Sequence, residues 1–181
     1  MVMNMDDSIT KFINSIPFFK DFSDHEKNKM INRTNCFVKF SKDDVVFLQG
    51  DPGDSLYLIL HGTVGLFRLG TINIVAEDKI SLQKEVEKLI KDSPSGSIFG
   101  EIAMLTANKR NVTARVTSAS AVLMKINKKL MEGLNPAAQI KFHKQLLLSL
   151  ANHLSTMNSQ FVDLEHKYDT LVAKQLNSIE A

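Results

Sequence analysis

The hydrophobic and polar residues of the 181-residue chain change their spacing several times along its length. Near the N-terminus, apolar residues cluster around Pro17, and a capping box beginning at Ser23 predicts a helix that continues to about Arg33. From Asn35 to Leu69 the apolar residues form period-two and continuous runs, which are typical of short strands. We expect four strands there, at residues 36–40, 45–48, 56–60 and 64–69.

The pattern after residue 70 is mixed. A short strand is predicted at residues 72–75, and residues 78–92 have their apolar positions along one face of a surface helix. Strand character returns at residues 97–99, 112–116 and 121–126. Short strands separated by turn-forming residues predict a mainly β fold with flanking helices, of the sandwich or barrel kind.

From Pro136 onward the pattern predicts one long helix. Its apolar residues recur at alternating spacings of three and four, at Leu147, Leu150, Leu154, Met157, Phe161, Leu164, Tyr168 and Leu171. Because a small barrel cannot bury such a long stripe, we expect the distal part to form a coiled-coil homodimer. The alternative is that residues 147–157 alone pack on the sheet and the rest frays. The predicted division is an N-terminal helical segment at 1–34, a β-barrel at 35–134 and a dimerisation helix at 135–181.

Composition bears on the size of the core, the class of partner and the compartment of the protein. Apolar residues make up 44% of the chain, enough for one sizeable core, and the 22 basic and 20 acidic residues are scattered along it. This charge distribution favours neither nucleic acid nor a membrane surface as partner. Cys36 is the only cysteine, which excludes an internal disulfide framework and fits a reducing compartment. With no signal-like N-terminus and no apolar run of ~20 residues, we expect a cytoplasmic protein.

Candidate chemistry is concentrated in residues 96–114, GSIFGEIAMLTANKRNVTA. Gly100 stands where a strand gives way to a short helical turn at 101–105, whose free N–H groups favour an anion. Arg110 follows this turn and can donate to two phosphate oxygens, while Glu101 is an acceptor that suits a sugar hydroxyl. Together they predict a ribose phosphate. Taken singly, Gly100 could be only a turn, and Arg110 could simply pair with Glu101.

Residues 99–105, with Arg110 and Thr113, resemble the phosphate-binding cassette of the cyclic nucleotide-binding domain family. The run DDVVFLQGDPGDSLYLILHGTVGLF resembles the earlier strands of that family, and roughly residues 12–165 are covered. The resemblance implies a double-stranded β-helix, or jelly-roll barrel, with N-terminal helices and a long C-terminal helix. It implies cAMP or cGMP as ligand and no metal. The implied ligand-binding residues are Phe99, Gly100, Glu101, Ile102, Ala103, Arg110, Asn111, Val112, Thr113 and Asn158.

Within that set, the resemblance assigns the cyclic phosphate to Arg110 and the ribose 2′-hydroxyl to Glu101. Asn158 comes from alignment on the long helix, which puts it near the purine. The chain departs from the family at Lys109, where a proline is frequent, and at Asn111, where a small residue is frequent. Asn111 leaves the choice between cAMP and cGMP open. A third departure is the helix predicted at 78–92, where relatives have a short hairpin.

The sequence does not favour an enzyme, because a catalytic site needs a base or nucleophile with partners and the five histidines are scattered. A DNA-binding regulator needs about sixty further residues after the long helix, so we expect no direct nucleic-acid binding. We therefore predict a sensor that binds a cyclic nucleotide and signals by rearranging its C-terminal helix. The alternatives are the effector domain of a catabolite-activator-type regulator, truncated or acting through a partner, and a degenerate dimerisation scaffold.

Overall fold

The computed structural model describes residues 13–32, 36–75 and 81–179. The strands are β1 Phe37–Ser41, β2 Val45–Phe47, β3 Ser55–His61, β4 Thr63–Val75, β5 Ser81–Pro94, β6 Ile98–Phe99, β7 Thr113–Val116 and β8 Ser120–Asn127. The α-helices are α1 Asp24–Ile31, α2 Glu101–Thr106, α3 Lys128–Glu132 and α4 Pro136–Ile179, and a 3-10 helix covers Pro17–Phe19. The chain divides into two compact units, residues 1–141 and 142–181.

The first unit contains two four-stranded antiparallel sheets, in the orders β1-β8-β3-β6 and β2-β7-β4-β5. Alternate residues of the strands enclose one apolar cluster, formed by Phe47, Tyr57, Ile59, Val64, Phe99, Ala114, Val116, Ala121 and Leu123. This arrangement confirms the predicted fold class, mainly β with flanking helices. The predicted strands at 36–69, 97–99, 112–116 and 121–126 all occur, with ends that differ by a few residues.

The helix predicted at residues 78–92 is wrong. Residues 81–94 form β5, which pairs with β4 from Thr63 opposite Pro94 to Val75 opposite Ser81, and the short strand predicted at 72–75 is the end of β4. Residues 78–80, the first part of the predicted helix, lie outside the described residues. The apolar spacing of KEVEKLIK is compatible with a helix face, but long-range pairing with β4 overrides that local preference.

The N-terminal capping box is confirmed, and it carries an additional ion pair. Ser23 and Glu26 form the box, with the Ser23 N–H donating to Glu26 Oε2 at 2.7 Å. Lys141 Nζ donates to the two oxygens of the same carboxylate at 2.8 and 3.1 Å. This hydrogen bond is the main reason why the pKa of Glu26 is lowered. The pair therefore joins α1 to the first turns of α4 inside the first unit.

The long C-terminal helix is confirmed as α4, Pro136–Ile179. In the second unit its predicted seam faces solvent, because seven of the apolar side chains are 60–67% exposed, namely Leu147, Leu154, Met157, Phe161, Leu164, Tyr168 and Leu171. Among the described helices, none combines the length and the apolar character needed to span a membrane. The single chain thus leaves a long apolar stripe uncovered.

Glu26→Gln should lower the free energy of unfolding at neutral pH by about 1–3 kcal/mol, because Lys141 loses its charged acceptor. Since the folded pKa of Glu26 is lowered, the unfolded chain takes up this proton first as the pH falls. The stabilisation is complete above the ordinary carboxyl range and is lost below it. The difference between wild type and variant should therefore shrink from about pH 6 to pH 3 in denaturant unfolding.

Glu132→Gln is the matched control, because Glu132 lies 3.9 Å from Lys128 in an exposed pair. It should change stability by less than about 0.5 kcal/mol. A Glu26→Gln penalty that stays constant with pH would contradict the assignment of a charged Glu26–Lys141 pair.

Candidate phosphate-binding site

Gly100 has a left-handed backbone, with φ 78°, at the end of β6 and the start of α2. Residues with a side chain rarely adopt this conformation. A Cβ atom at this position would also lie 2.7 Å from Arg110 Nη1 and 3.3 Å from the Phe47 ring. Gly100 therefore allows both the turn and the close approach of the arginine, as the sequence predicted.

The backbone of Arg110 pairs with the turn at residues 48–54. The Arg110 N–H donates to Asp51 O at 2.8 Å, and the Gly50 N–H donates to Arg110 O at 2.8 Å. From this anchored position the side chain reaches inward, where Nη1 donates to Gly100 O at 2.7 Å and Nη2 donates to Ser55 O at 2.8 Å. The guanidinium thus connects the cassette to the start of β3.

Aromatic rings pack against the guanidinium. Its Cζ atom lies 4.2 Å from the centroid of the Phe47 ring and 5.9 Å from that of Tyr57. Tyr57 in turn stacks on Phe99, with ring centroids 5.4 Å apart. The negative face of an aromatic ring attracts a cation and offsets part of the cost of burying it. These rings hold Arg110 in place without neutralising its charge.

Arg110 is a buried cation, and not all of its N–H donors are used. Its side chain is 4% exposed, and its buried Nε–H has no partner. Within the described residues, no carboxylate lies at salt-bridge distance from it. Burial lowers the pKa of Arg110, and the nearby Tyr57 hydroxyl and the carboxylates of Asp54, Asp51 and Glu101 oppose that shift. An arginine nevertheless stays charged at physiological pH, so the site calls for an anion.

The other cassette residues fall into two groups. Glu101, Ala103 and Thr113 are buried, and Thr113 Oγ1 accepts a hydrogen bond from the Gln49 N–H at 3.0 Å. Ile102 is 44% exposed, Asn111 is exposed, and Val112 is half-buried against the apolar cluster. Within the first unit the structure brings Gly100 into contact with Arg110, and the roles of the other cassette residues stay predictions.

Phe99 and Asn158 differ in their surroundings from the other predicted ligand-binding residues. Phe99 is 1% exposed, and its ring packs within the aromatic cluster. Asn158 lies on α4 in the second unit, and its side chain is exposed. Its assignment to the purine stays a prediction.

Sequence reasoning missed three residues that build the site, Phe47, Gly53 and Ser55. A Cβ atom on Gly53 would lie 2.4 Å from Ala103 Cβ and 2.9 Å from Arg110 Cζ. Only a glycine lets this turn pack so closely on α2 and the guanidinium. The sequence feature that could have indicated Gly53 is the Gly-Asp-Pro-Gly run at residues 50–53, just before β3.

Comparison with known proteins agrees with this geometry. Residues 37–134 match the family described as the cyclic nucleotide-binding domain. The chain belongs to this family. The match contains β1 to β8, the cassette and α3, and a domain of this family is regulatory and not itself catalytic.

A relative in sequence is the cAMP-dependent protein kinase regulatory subunit of Emericella nidulans, with 26% identity over 104 residues. The aligned part is 58% of this chain and 21% of that protein. The chain thus spans about a fifth of the length of this relative.

Two solved structures share the fold. A cyclic nucleotide-binding domain from Methylobacillus flagellatus has a TM-score of 0.57 at 22% identity, over 85% of this chain and 78% of that one. The Thermus thermophilus catabolite activator protein has a TM-score of 0.58 at 20% identity, over 82% and 63%. These likenesses confirm the jelly-roll fold.

Gly53→Ala should destabilise the first unit by about 1–3 kcal/mol, because the added methyl group overpacks the contact with Ala103 and Arg110. Gly70→Ala is the matched control, since a Cβ atom at Gly70 meets nothing within 4 Å. Denaturant unfolding measures both. Equal stabilities for the two variants would show that the turn does not need a glycine at position 53.

Proposed function

We propose that this chain is a sensor that binds cAMP or cGMP at the cassette and signals by rearranging its C-terminal helix. The observation that supports the proposal best is Arg110, a buried guanidinium with an unpartnered Nε–H and no carboxylate at salt-bridge distance among the described residues. The cyclic phosphate supplies the missing anion. The name of the Emericella nidulans relative favours cAMP as the first nucleotide to test.

In the proposed complex, Arg110 binds the phosphate and Glu101 accepts a hydrogen bond from the ribose 2′-hydroxyl. Backbone groups of Gly100, Ile102 and Ala103 surround the sugar phosphate. The remaining proposed contacts are the backbone of Phe99, and Asn111, Val112, Thr113 and Asn158. Asn111, which is exposed beside Arg110, is the residue in this set that most directly bears on the preferred base.

Binding requires movement in this site. Because Arg110 is 4% exposed, a phosphate reaches it only when the cassette and the turn at residues 48–54 separate or the side chain swings outward. The present contacts with Gly100 O and Ser55 O use neutral acceptors, and hydrogen bonds to a charged acceptor are roughly twice as strong. A phosphate therefore competes effectively for the guanidinium, and its binding is linked to a change in the cassette.

The route to the helix runs through the residues after Ile126. Asn127 caps α3, where its Oδ1 accepts from the Leu130 N–H at 2.9 Å. Asn135 caps α4, where its Oδ1 accepts from the Ala138 N–H at 2.8 Å. Because each helix has its own cap, a change in the angle between α3 and α4 leaves the backbone hydrogen bonds within each helix in place. The bonds that Gln139 Nε2 donates to Leu134 O and Glu132 O are the ones that must rearrange. The ligand would shift a pre-existing equilibrium between such arrangements.

Among the described residues, no group of three or more histidine, cysteine, aspartate or glutamate side chains is arranged to hold a metal ion. The polar groups buried at the cassette are donors and acceptors suited to a sugar phosphate. A degenerate scaffold is the weaker alternative, because the chain retains both Arg110 and Glu101.

Arg110→Ala should weaken cAMP binding by ~2–4 kcal/mol, because the ligand phosphate loses its buried charge-assisted partner. Isothermal titration calorimetry with cAMP and with cGMP measures this and also identifies the preferred base. Arg110→Lys keeps the charge but loses the planar fork, so it should bind with intermediate affinity.

Lys109→Ala is the matched control, because Lys109 is the exposed cation next to Arg110. It should leave the affinity nearly unchanged. If the wild-type chain shows no binding of either nucleotide in calorimetry, the proposed function is overturned. An unchanged affinity for a folded Arg110→Ala variant would show that the phosphate binds elsewhere.

The coiled-coil homodimer is the second part of the proposal. Sedimentation should report a dimer for the full chain and a monomer after truncation near Asn158, which removes the distal half of the exposed seam. Leu164→Glu should also shift the chain to monomer, because it places two carboxylates in the apolar interface. Leu164 is 63% exposed in the single chain.

Ser159→Glu provides the control for added charge, because Ser159 is exposed on the same helix and lies outside the heptad seam. This variant should remain dimeric. A full chain that sediments as a monomer at every accessible concentration would remove the coiled coil from the proposal.

A further inference from the structure

Strands β4 and β5 extend beyond the sheet that contains them. β7 pairs with β4 at residues 64–67, whereas β5 pairs with β4 as far as Val75. Residues 68–75 and 81–88 therefore form a two-stranded ribbon. β5 is the edge strand of its sheet, and in the described part of the chain no strand pairs with its outer edge. Such an edge presents N–H and C=O groups that can pair with another strand.

The two faces of the ribbon carry opposite charges. Side chains directly opposite each other in an antiparallel pair lie on the same face, and the register places Lys88 opposite Arg68 and Glu87 opposite Leu69. Alternation along β5 places Lys84 with Lys88 and Glu85 with Glu87. Where the ribbon joins the sheet, the register shifts by one residue, so that Lys91 lies opposite Leu66 on the basic face and Asp92 lies opposite Gly65 on the acidic face. The basic face thus carries Arg68, Lys84, Lys88 and Lys91, and the acidic face carries Glu85, Glu87 and Asp92.

On the acidic face two carboxylates have partners within the protein, one of them a cation, whereas the basic face has no counter-ion among the described residues. On the acidic face, Arg115 Nη1 lies 2.9 Å from Glu87 Oε2, and Thr117 Oγ1 donates to Asp92 Oδ1 at 3.0 Å. On the basic face all four cations are exposed, and no carboxylate of the described residues is at salt-bridge distance from any of them. Like charges directly opposite each other destabilise a sheet, as with Arg68 and Lys88, so an external anion is favoured.

A second copy of the chain does not satisfy this surface. Antiparallel pairing of two β5 edges about a twofold axis would place the basic face of one ribbon beside the basic face of the other. Neither lipid headgroups nor nucleic-acid phosphates would pair with the backbone groups of the edge. Only an extended polypeptide supplies both backbone partners and carboxylates, and in it alternate side chains lie over the same face.

We propose that the outer edge of β5 binds an extended segment of a partner protein by strand addition. The segment carries acidic residues at alternate positions, beside Lys84 and Lys88 on the basic face. The positions between them are neutral or basic, because they lie beside Glu85 and Glu87 on the acidic face. The partner is thus recognised by a charge pattern of period two.

A synthetic peptide of about ten residues that alternates glutamate and lysine tests the proposal. The control peptide contains the same residues as one glutamate block and one lysine block. The alternating peptide should bind the full chain at least about tenfold more tightly and lose affinity between about 20 and 200 mM salt. Hydrogen exchange of the β5 amides should slow on binding, because strand addition gives them new acceptors.

Lys84→Glu with Lys88→Glu should weaken binding of the alternating peptide at least about tenfold, since it removes the net positive charge of the basic face. Lys39→Glu with Lys42→Glu is the matched control, because it makes the same charge change at exposed residues on and beside β1. Both variants should unfold at the wild-type temperature to within a few degrees.

Equal binding of the two peptides, or no effect of reversing Lys84 and Lys88, would overturn the proposal. Vesicles containing phosphatidylserine form a separate arm of the experiment. Binding to these vesicles that depends on Lys84 and Lys88, without slowed exchange at β5, would instead assign the basic face to a membrane surface.

Discussion

The Arg110 guanidinium is the interaction on which the arrangement of the site depends. It draws together the end of β2, the start of β3 and the cassette, because its donors reach Ser55 O and Gly100 O while its plane packs on Phe47. A buried charge is costly unless such partners surround it. Gly53 and Gly100 are needed because side chains at these positions would occupy the space of the guanidinium. This one charge thus restricts which residues fit in three separate segments of the chain.

The same charge explains why ligand binding and conformational change are linked in the proposed sensor. The carbonyls of Ser55 and Gly100 solvate the cation but do not neutralise it, and Nε remains unpartnered. Two neutral acceptors stabilise the closed cassette sufficiently to bury Arg110, and a phosphate is the stronger partner. Any arrangement that exposes Arg110 to phosphate must move segments that this residue holds together. If a carboxylate of the protein were paired with Arg110, a phosphate would not be a stronger partner than the one already present.

The cassette could be predicted from sequence because its residues lie close together in the chain, so that Gly100, Glu101 and Arg110 form one local pattern. Ser55 could not be predicted in this way, because it is 55 positions from Arg110 and contributes a carbonyl oxygen that every residue possesses. The same reason applies to Phe47, which looks like any core residue. The helix predicted at 78–92 was wrong because the apolar spacing of KEVEKLIK is also compatible with a helix face, and only the register with β4 shows that this segment is a strand.

Comparing the charged groups of the first unit separates structural from functional charge. Glu26 is paired with Lys141, and Glu87 with Arg115, so these groups contribute to the fold without an external partner. Arg110 and the basic face of the ribbon lack such pairing among the described residues, although one is buried and the other exposed. Because Arg110 is buried, its charge is costly without a counter-ion, and the proposed ligand is an anion small enough to enter the cassette. The basic face is already solvated by water and gains little from an anion alone. The proposed partner of this face is therefore a polypeptide that also pairs with the neighbouring strand edge.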